Sequence, residues 1–151
     1  MGEQANAIAA RRHWMSVLAR ASHDALASHL ASCAALPAHS LLRGPETGLV
    51  MVRGRAGGDG APFNLGETTV TRCTVRLAGG QIGHAYALGR DPAQAELAAL
   101  LDAALQHPAH ASELLARVVE PLAQAQAAAR DAVLAKAAAT RVEFLAMQTT
   151  R

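Results

Sequence analysis

The sequence predicts an α+β fold: a small antiparallel sheet of about four strands, preceded by N-terminal helices and followed by long C-terminal helices. Three observations carry this expectation. Residues 67–77, ETTVTRCTVRL, are rich in threonine and valine and alternate with period two, which is the pattern of a strand whose two faces meet different surroundings. Gly79-Gly80 follows and turns the chain through positive φ at little cost, so residues 81–89 return as an antiparallel partner. Asp91-Pro92 then sets a capping carboxylate before a proline at the first helical position. Leu97, Leu100, Leu101, Ala104 and Leu105 form one apolar stripe on the helix that follows.

Each remaining element has its own signal. Residues 8–20 place Ile8, Trp14, Val17 and Leu18 broadly on one helical face. Ser22 caps a second helix running to about Cys33, with Asp24 in its first turn, and Pro37 ends it. Residues 39–43 read as a short extended run, Gly44-Pro45 with Thr47-Gly48 as a turn, and residues 49–55 as a further extended run. Gly57-Gly58-Asp59-Gly60-Ala61-Pro62 suits neither helix nor central strand and predicts the loop into the hairpin. On the strand at 67–77, Glu67, Thr69, Thr71, Cys73, Val75 and Leu77 take one face. Thr68, Val70, Arg72, Thr74 and Arg76 take the other, so Arg72 and Arg76 point the same way.

The helix after Pro92 is expected to end near His107-Pro108, leaving His107 and His110 in a loop. From Ser112 onward, Leu114, Leu115, Val118, Val119 and Leu122 give a solid apolar face that Pro121 should kink or interrupt. Residues 124–140 are mostly alanine, with Val133 and Leu134 alone to bury. Such a helix forms readily but has little to hold it in a core of its own. Residues 122–151 are therefore expected to be an extending alanine-rich arm lying on another chain, or a solvent-facing helix packed locally, within a chain that forms one domain over 1–151.

Composition limits the function classes. The 151 residues carry a formal net charge of +2, too small to point to nucleic acid, and 13 of the 14 basic residues are arginine. Cys33 and Cys73 stand alone in segments that look buried, which suits free thiols in a reducing compartment. No basic start leads into an apolar core and no long apolar run occurs, so a cytoplasmic protein with no membrane contact is expected. The seven histidines include no HExxH pair, and two distant cysteines cannot hold an iron–sulfur cluster, so no metal and no cofactor is expected. Two further chemistries have candidate residues. Backbone N–H groups of Gly57, Gly58 and Gly60 can form an anion nest, with Arg53, Arg55, Arg72 or Arg76 adding charge-assisted contacts; the alternative is a hairpin loop with salt-bridged arginines. Serines and His84 are present, but no elbow motif joins them into a triad.

Several stretches together resemble the PhnG family, a subunit of the bacterial carbon–phosphorus lyase system that degrades organophosphonates. They are residues 12–19 (RHWMSVLA), 46–50 (ETGLV), 53–60 (RGRAGGDG), 63–67 (FNLGE), 70–77 (VTRCTVRL), 88–91 (LGRD) and the helix over 95–106. Residues 141–147 (RVEFLAM) resemble the family's ending, without its second aromatic residue and following Arg-Gly. The resemblance implies an accessory, scaffolding subunit of a core complex with PhnI, PhnH and PhnJ, present as two copies in a symmetric assembly. It implies action with PhnI, PhnH and PhnL in replacing the adenine of ATP by a phosphonate at ribose C1, before PhnJ cuts the C–P bond. The surface expected to face substrate or partner comprises Arg53, Arg55, Gly57, Gly58, Gly60, Arg72, Arg76, His84 and Arg90. A second reading has the arginines or His84 hold phosphate or phosphonate oxygens in a shared active site.

Overall fold

A computed structural model describes residues 2–57 and 59–142. The elements are α1 (Gly2–Arg20), α2 (His23–Leu30), β1 (His39–Arg55), β2 (Pro62–Leu77), β3 (Ile82–Leu88), α3 (Pro92–Leu105), α4 (Pro108–Leu114) and α5 (Glu120–Ala139). A π-helical stretch, Leu115–Val119, joins α4 to α5. The fold is α+β, and its three described strands form one antiparallel sheet in the order β1-β2-β3.

Three strands stand where about four are expected because the runs at 39–43 and 49–55 are one strand. Gly44-Pro45 does not turn the chain. Its irregularity is absorbed by register shifts between Leu41 and Arg43 and between Arg43 and Glu46, while pairing with β2 continues on either side. A proline is tolerated there because β1 is an edge strand. β2 likewise begins at Pro62 rather than Glu67, since proline at the first position of a strand removes no ladder bond that is needed.

Helix boundaries follow the caps. The Ser22 hydroxyl accepts the Ala25 N–H at 3.3 Å, although α2 ends at Leu30, short of Cys33. Asp91 accepts the Gln94 N–H at 2.9 Å with Pro92 in the first turn. His107 and Pro108 do not form the expected loop: Pro108 opens α4, and the His107 ring caps it by accepting the Ala109 N–H at 3.2 Å. Pro121 does interrupt regular α geometry: helical backbone runs on from α4 through Val119 and Glu120, and the departure from α geometry, the π-helical stretch, lies just upstream of the proline.

The core lies between the sheet and α3. Thr71, Cys73, Val75 and Leu77 of β2 and Ala85 and Ala87 of β3 are buried, as are Ala95, Ala98, Ala99, Ala103 and Ala104 of α3. The alanines let helix and sheet approach closely, and Gly83 shows how closely. A Cβ there would meet the Ala99 carbonyl oxygen and the Ala103 nitrogen and lie 2.8 Å from the Ala103 Cβ. Trp14, Val17 and Leu18 of α1, Leu26 of α2, and Leu114, Val118, Val119 and Leu122 complete the cluster. The last carbonyls of α1 are taken up by side chains from elsewhere. Gln94 donates to the Ala21 carbonyl, and Gln126 of α5 donates to that of Val17 at 2.9 Å.

Two parts extend beyond this core. β3 pairs with β2 only over residues 70–76, so the outer half of β1–β2 is a two-stranded ribbon. Every described residue from Ala128 onward, including Val133 and Leu134, is exposed. Among the described residues no helix is long and apolar enough to cross a membrane.

Candidate functional site

The face of the sheet turned away from α3 carries most of the polar candidates. Strand alternation places Arg72, Thr74 and Arg76 of β2 beside Tyr86, His84 and Ile82 of β3, which are their cross-strand partners. Arg72 and Arg76 do share a face. Arg72 is held from the β1 side: its Nε and Nη2 donate to Glu46 Oε2 at 3.1 and 3.0 Å, and Arg43 Nε lies 3.5 Å from Glu46 Oε1. The Tyr86 hydroxyl first and the Glu46 carboxylate second push the Arg72 pKa still higher, so it remains a cation. Arg72 is thus salt-bridged, across the strands to Glu46. Arg76 is exposed between Ser40 and Ile82 and has no acidic partner among the described residues. His84 Nδ1 lies 3.2 Å from Thr74 Oγ1, and its ring is exposed.

Arg53 and Arg55 stand apart from that group. Glu46 is opposite Arg72 while Arg53 lies seven residues further along β1, about 23 Å away at about 3.3 Å per residue. Alternation also turns Arg53 and Arg55 to the opposite side of the ribbon from Glu46 and Arg72. At the hairpin end, Gly57 adopts φ 63°, the Gly60 N–H donates to the Ala56 carbonyl at 3.1 Å, and Arg55 Nη1 donates to the Gly60 carbonyl at 3.0 Å. Arg55 and the Gly60 amide are therefore engaged in closing the turn. Gly58 and residues 143–147 lie outside the described residues. Arg90 is exposed in the connection from β3 to α3, next to Gly89, whose φ is 93° and whose carbonyl accepts Thr71 Oγ1 at 2.8 Å. The eight described candidates are distributed over both faces of the sheet, the tip of the β1–β2 hairpin and the connection from β3 to α3.

The residue that sequence reasoning passed over is Asp102. It is fully buried on α3, and four donors satisfy its carboxylate. Arg11 Nε and Trp14 Nε1 reach Oδ1 at 3.1 and 2.8 Å, while Arg11 Nη2 and the His84 N–H reach Oδ2 at 2.7 and 2.9 Å. Gln106 donates to the neighbouring Ile82 carbonyl at 2.8 Å. These contacts close the start of the β3 edge and fix it against α1 and α3. The available signal was a charged residue set within the apolar run LLDAAL, where only a paired carboxylate is tolerated. Cys73, also buried, has its thiol pKa pushed up by burial first and by the Glu96 charge second.

Taken together, the geometry defines an α+β protein with a half-covered antiparallel sheet and a projecting hairpin, its described candidate residues spread over both faces. Residues 9–149 match the family of phosphonate metabolism protein PhnG. Over 144 residues, 93% of this chain and 89% of the relative, the sequence is 47% identical to the alpha-D-ribose 1-methylphosphonate 5-triphosphate synthase subunit PhnG of Rhizobium meliloti (strain 1021). The chain belongs to the PhnG family.

Proposed function

We propose that this chain is an accessory and interface subunit of a ribose 1-methylphosphonate 5-triphosphate synthase. In this reading it works in the cytoplasm with PhnI, PhnH and PhnL to form ribose 1-phosphonate 5-triphosphate from ATP and an alkylphosphonate, displacing adenine. It sits in a core complex with PhnI, PhnH and PhnJ, two copies to a symmetric assembly, as one PhnG-type domain from which α5 extends as a helical arm as far as Ala139. The observation that carries the reading is the large apolar surface outside the core, on the ribbon at residues 49–52 and on α5 at Val133 and Leu134. The relative's subunit name supports the same role.

Adenine release from ATP plus methylphosphonate tests it, using purified PhnI, PhnH and PhnL with and without this chain and a sizing run to follow association. A shift from free ribose triphosphate to the phosphonate adduct only when the chain is present and bound is the expected result. No association and no change in product overturns it. A second reading has Arg72, Arg76 and His84 contribute directly to a shared active site, and it is favoured by their position on one uncovered sheet face. Arg72→Ala with Arg76→Ala separates the two: turnover lost with assembly intact supports direct participation, and turnover retained overturns it.

A further inference from the structure

Resting on that subunit reading, we propose that the outer half of the β1–β2 ribbon is gripped on both faces by a two-walled apolar cleft in a partner subunit. The wall against Arg53 and Arg55 carries carboxylates.

The pattern begins in the sequence. Leu49, Val50, Met51 and Val52 are four apolar residues in succession, and successive side chains on a strand point to opposite faces. Strands with one solvated face alternate, whereas strands covered on both faces read as continuous apolar runs. Here neither face is covered: these residues are 62, 37, 49 and 37% exposed. Across the ribbon, Phe63 packs over Gly54 and extends the Val50–Val52 side, and Leu65 stands at the register shift after Val52, 66% exposed. A lone two-stranded ribbon is marginal in water. Its edge from Thr47 to Val52 also lacks lysine, proline or a bulge to discourage pairing, whereas the inner half of β1 has both Pro45 and its register shifts.

Area and charge select the occupant. Seven paired positions, from Leu49–Thr69 to Arg55–Pro62, span about 23 Å, and two strands are about 10 Å wide, so one face offers on the order of 250 Å². A stable interface takes about 800 Å² from each partner, which one face cannot supply and two faces with their edges and tip approach. A second copy related by a twofold axis would cover the same single face on each ribbon and leave the other in water. A cleft with two walls covers both. On the Leu49–Met51 side the strand continues into Arg53 and Arg55, whose cross-strand neighbours are Asn64 and Pro62, and neither arginine has an acidic partner among the described residues. Glu67, opposite Met51, lies on the same side, so two cations against one carboxylate leave that face net positive, and charge complementarity asks for carboxylates on the wall that meets its arginine end.

The test is the affinity of the full chain for its co-expressed companion subunits PhnI, PhnH and PhnJ, for wild type and three double variants. Leu49→Thr with Met51→Thr alters one face, Val50→Thr with Val52→Thr the other, and Arg53→Glu with Arg55→Glu the cationic end. Each is expected to weaken association about tenfold or more, with a reduced salt dependence for the arginine pair; the two apolar variants leave the thermal midpoint of the free chain unchanged. Retained affinity in either apolar variant overturns the two-walled cleft. A free chain that dimerises, and loses dimerisation in these variants, overturns the occupant in favour of a second copy. If the wild-type chain binds none of the companions, the subunit reading itself fails; if wild type and all variants bind alike, only the inference about the ribbon fails.

Discussion

Asp102 shows what a single buried carboxylate can do at the residue scale. Its two oxygens take four donors from α1 and β3, so three elements are tied at one point. Removing it leaves the Trp14 indole N–H and the His84 amide without a partner and frees a part-buried arginine, which is costlier than never having buried them. Asp102→Ala should cost about 3 kcal/mol, read as a fall of roughly 8 °C in thermal midpoint. Arg11→Ala leaves the Asp102 carboxylate fully buried with two of its four donors gone, so it should cost a comparable amount. A much smaller loss would show that the Trp14 and His84 hydrogen bonds, and not the ion pair, hold the carboxylate.

At the scale of elements, the contact between β3 and α3 decides the shape of the core. Helix and sheet come together over alanines and Gly83, a distance that a leucine-faced helix would not permit. Gly83→Ala should therefore cost about 2 kcal/mol or more, because helix backbone stands where the methyl group must go. Gly48 on β1 is the control. It belongs to the same sheet, a Cβ there meets nothing within 4 Å, and Gly48→Ala should be neutral or slightly stabilising in a denaturation midpoint. Comparable destabilisation at both positions would refute the close approach.

On the scale of the molecule, a compact core of modest size holds the inner ends of two long projections, the ribbon and α5. Each has good local propensity and exposed apolar side chains, which suits a chain that completes its burial in an assembly. Val133→Gln with Leu134→Gln should leave the unfolding midpoint of the free chain within about 0.5 kcal/mol of wild type. If α5 meets a companion subunit, the same variant lowers co-purification. A large loss of stability in the free chain would mean instead that the helix is part of the fold.

Sequence alone determined what local chemistry controls. The Thr/Val alternation with Gly79-Gly80 gave β2, β3 and their turn, the Ser22 and Asp91 caps opened α2 and α3, and alternation correctly set Arg72 beside Arg76 on the face away from Cys73 and Val75. Motifs spread from residue 12 to residue 106 were enough to identify the family. Contacts between residues far apart in the chain were decided only by the tertiary structure. Pairing with β2 carried β1 straight through Gly44-Pro45, where local turn signals predicted a break, because a ladder on both sides outweighs one missing donor. Seven residues of β1 and the pleat of the strand parted Arg53 and Arg55 from Arg72, although they look like one basic cluster in the sequence. Asp102 and Gly83 owe their roles to partners 18 or more and 16 or more residues away, respectively, which no local pattern contains.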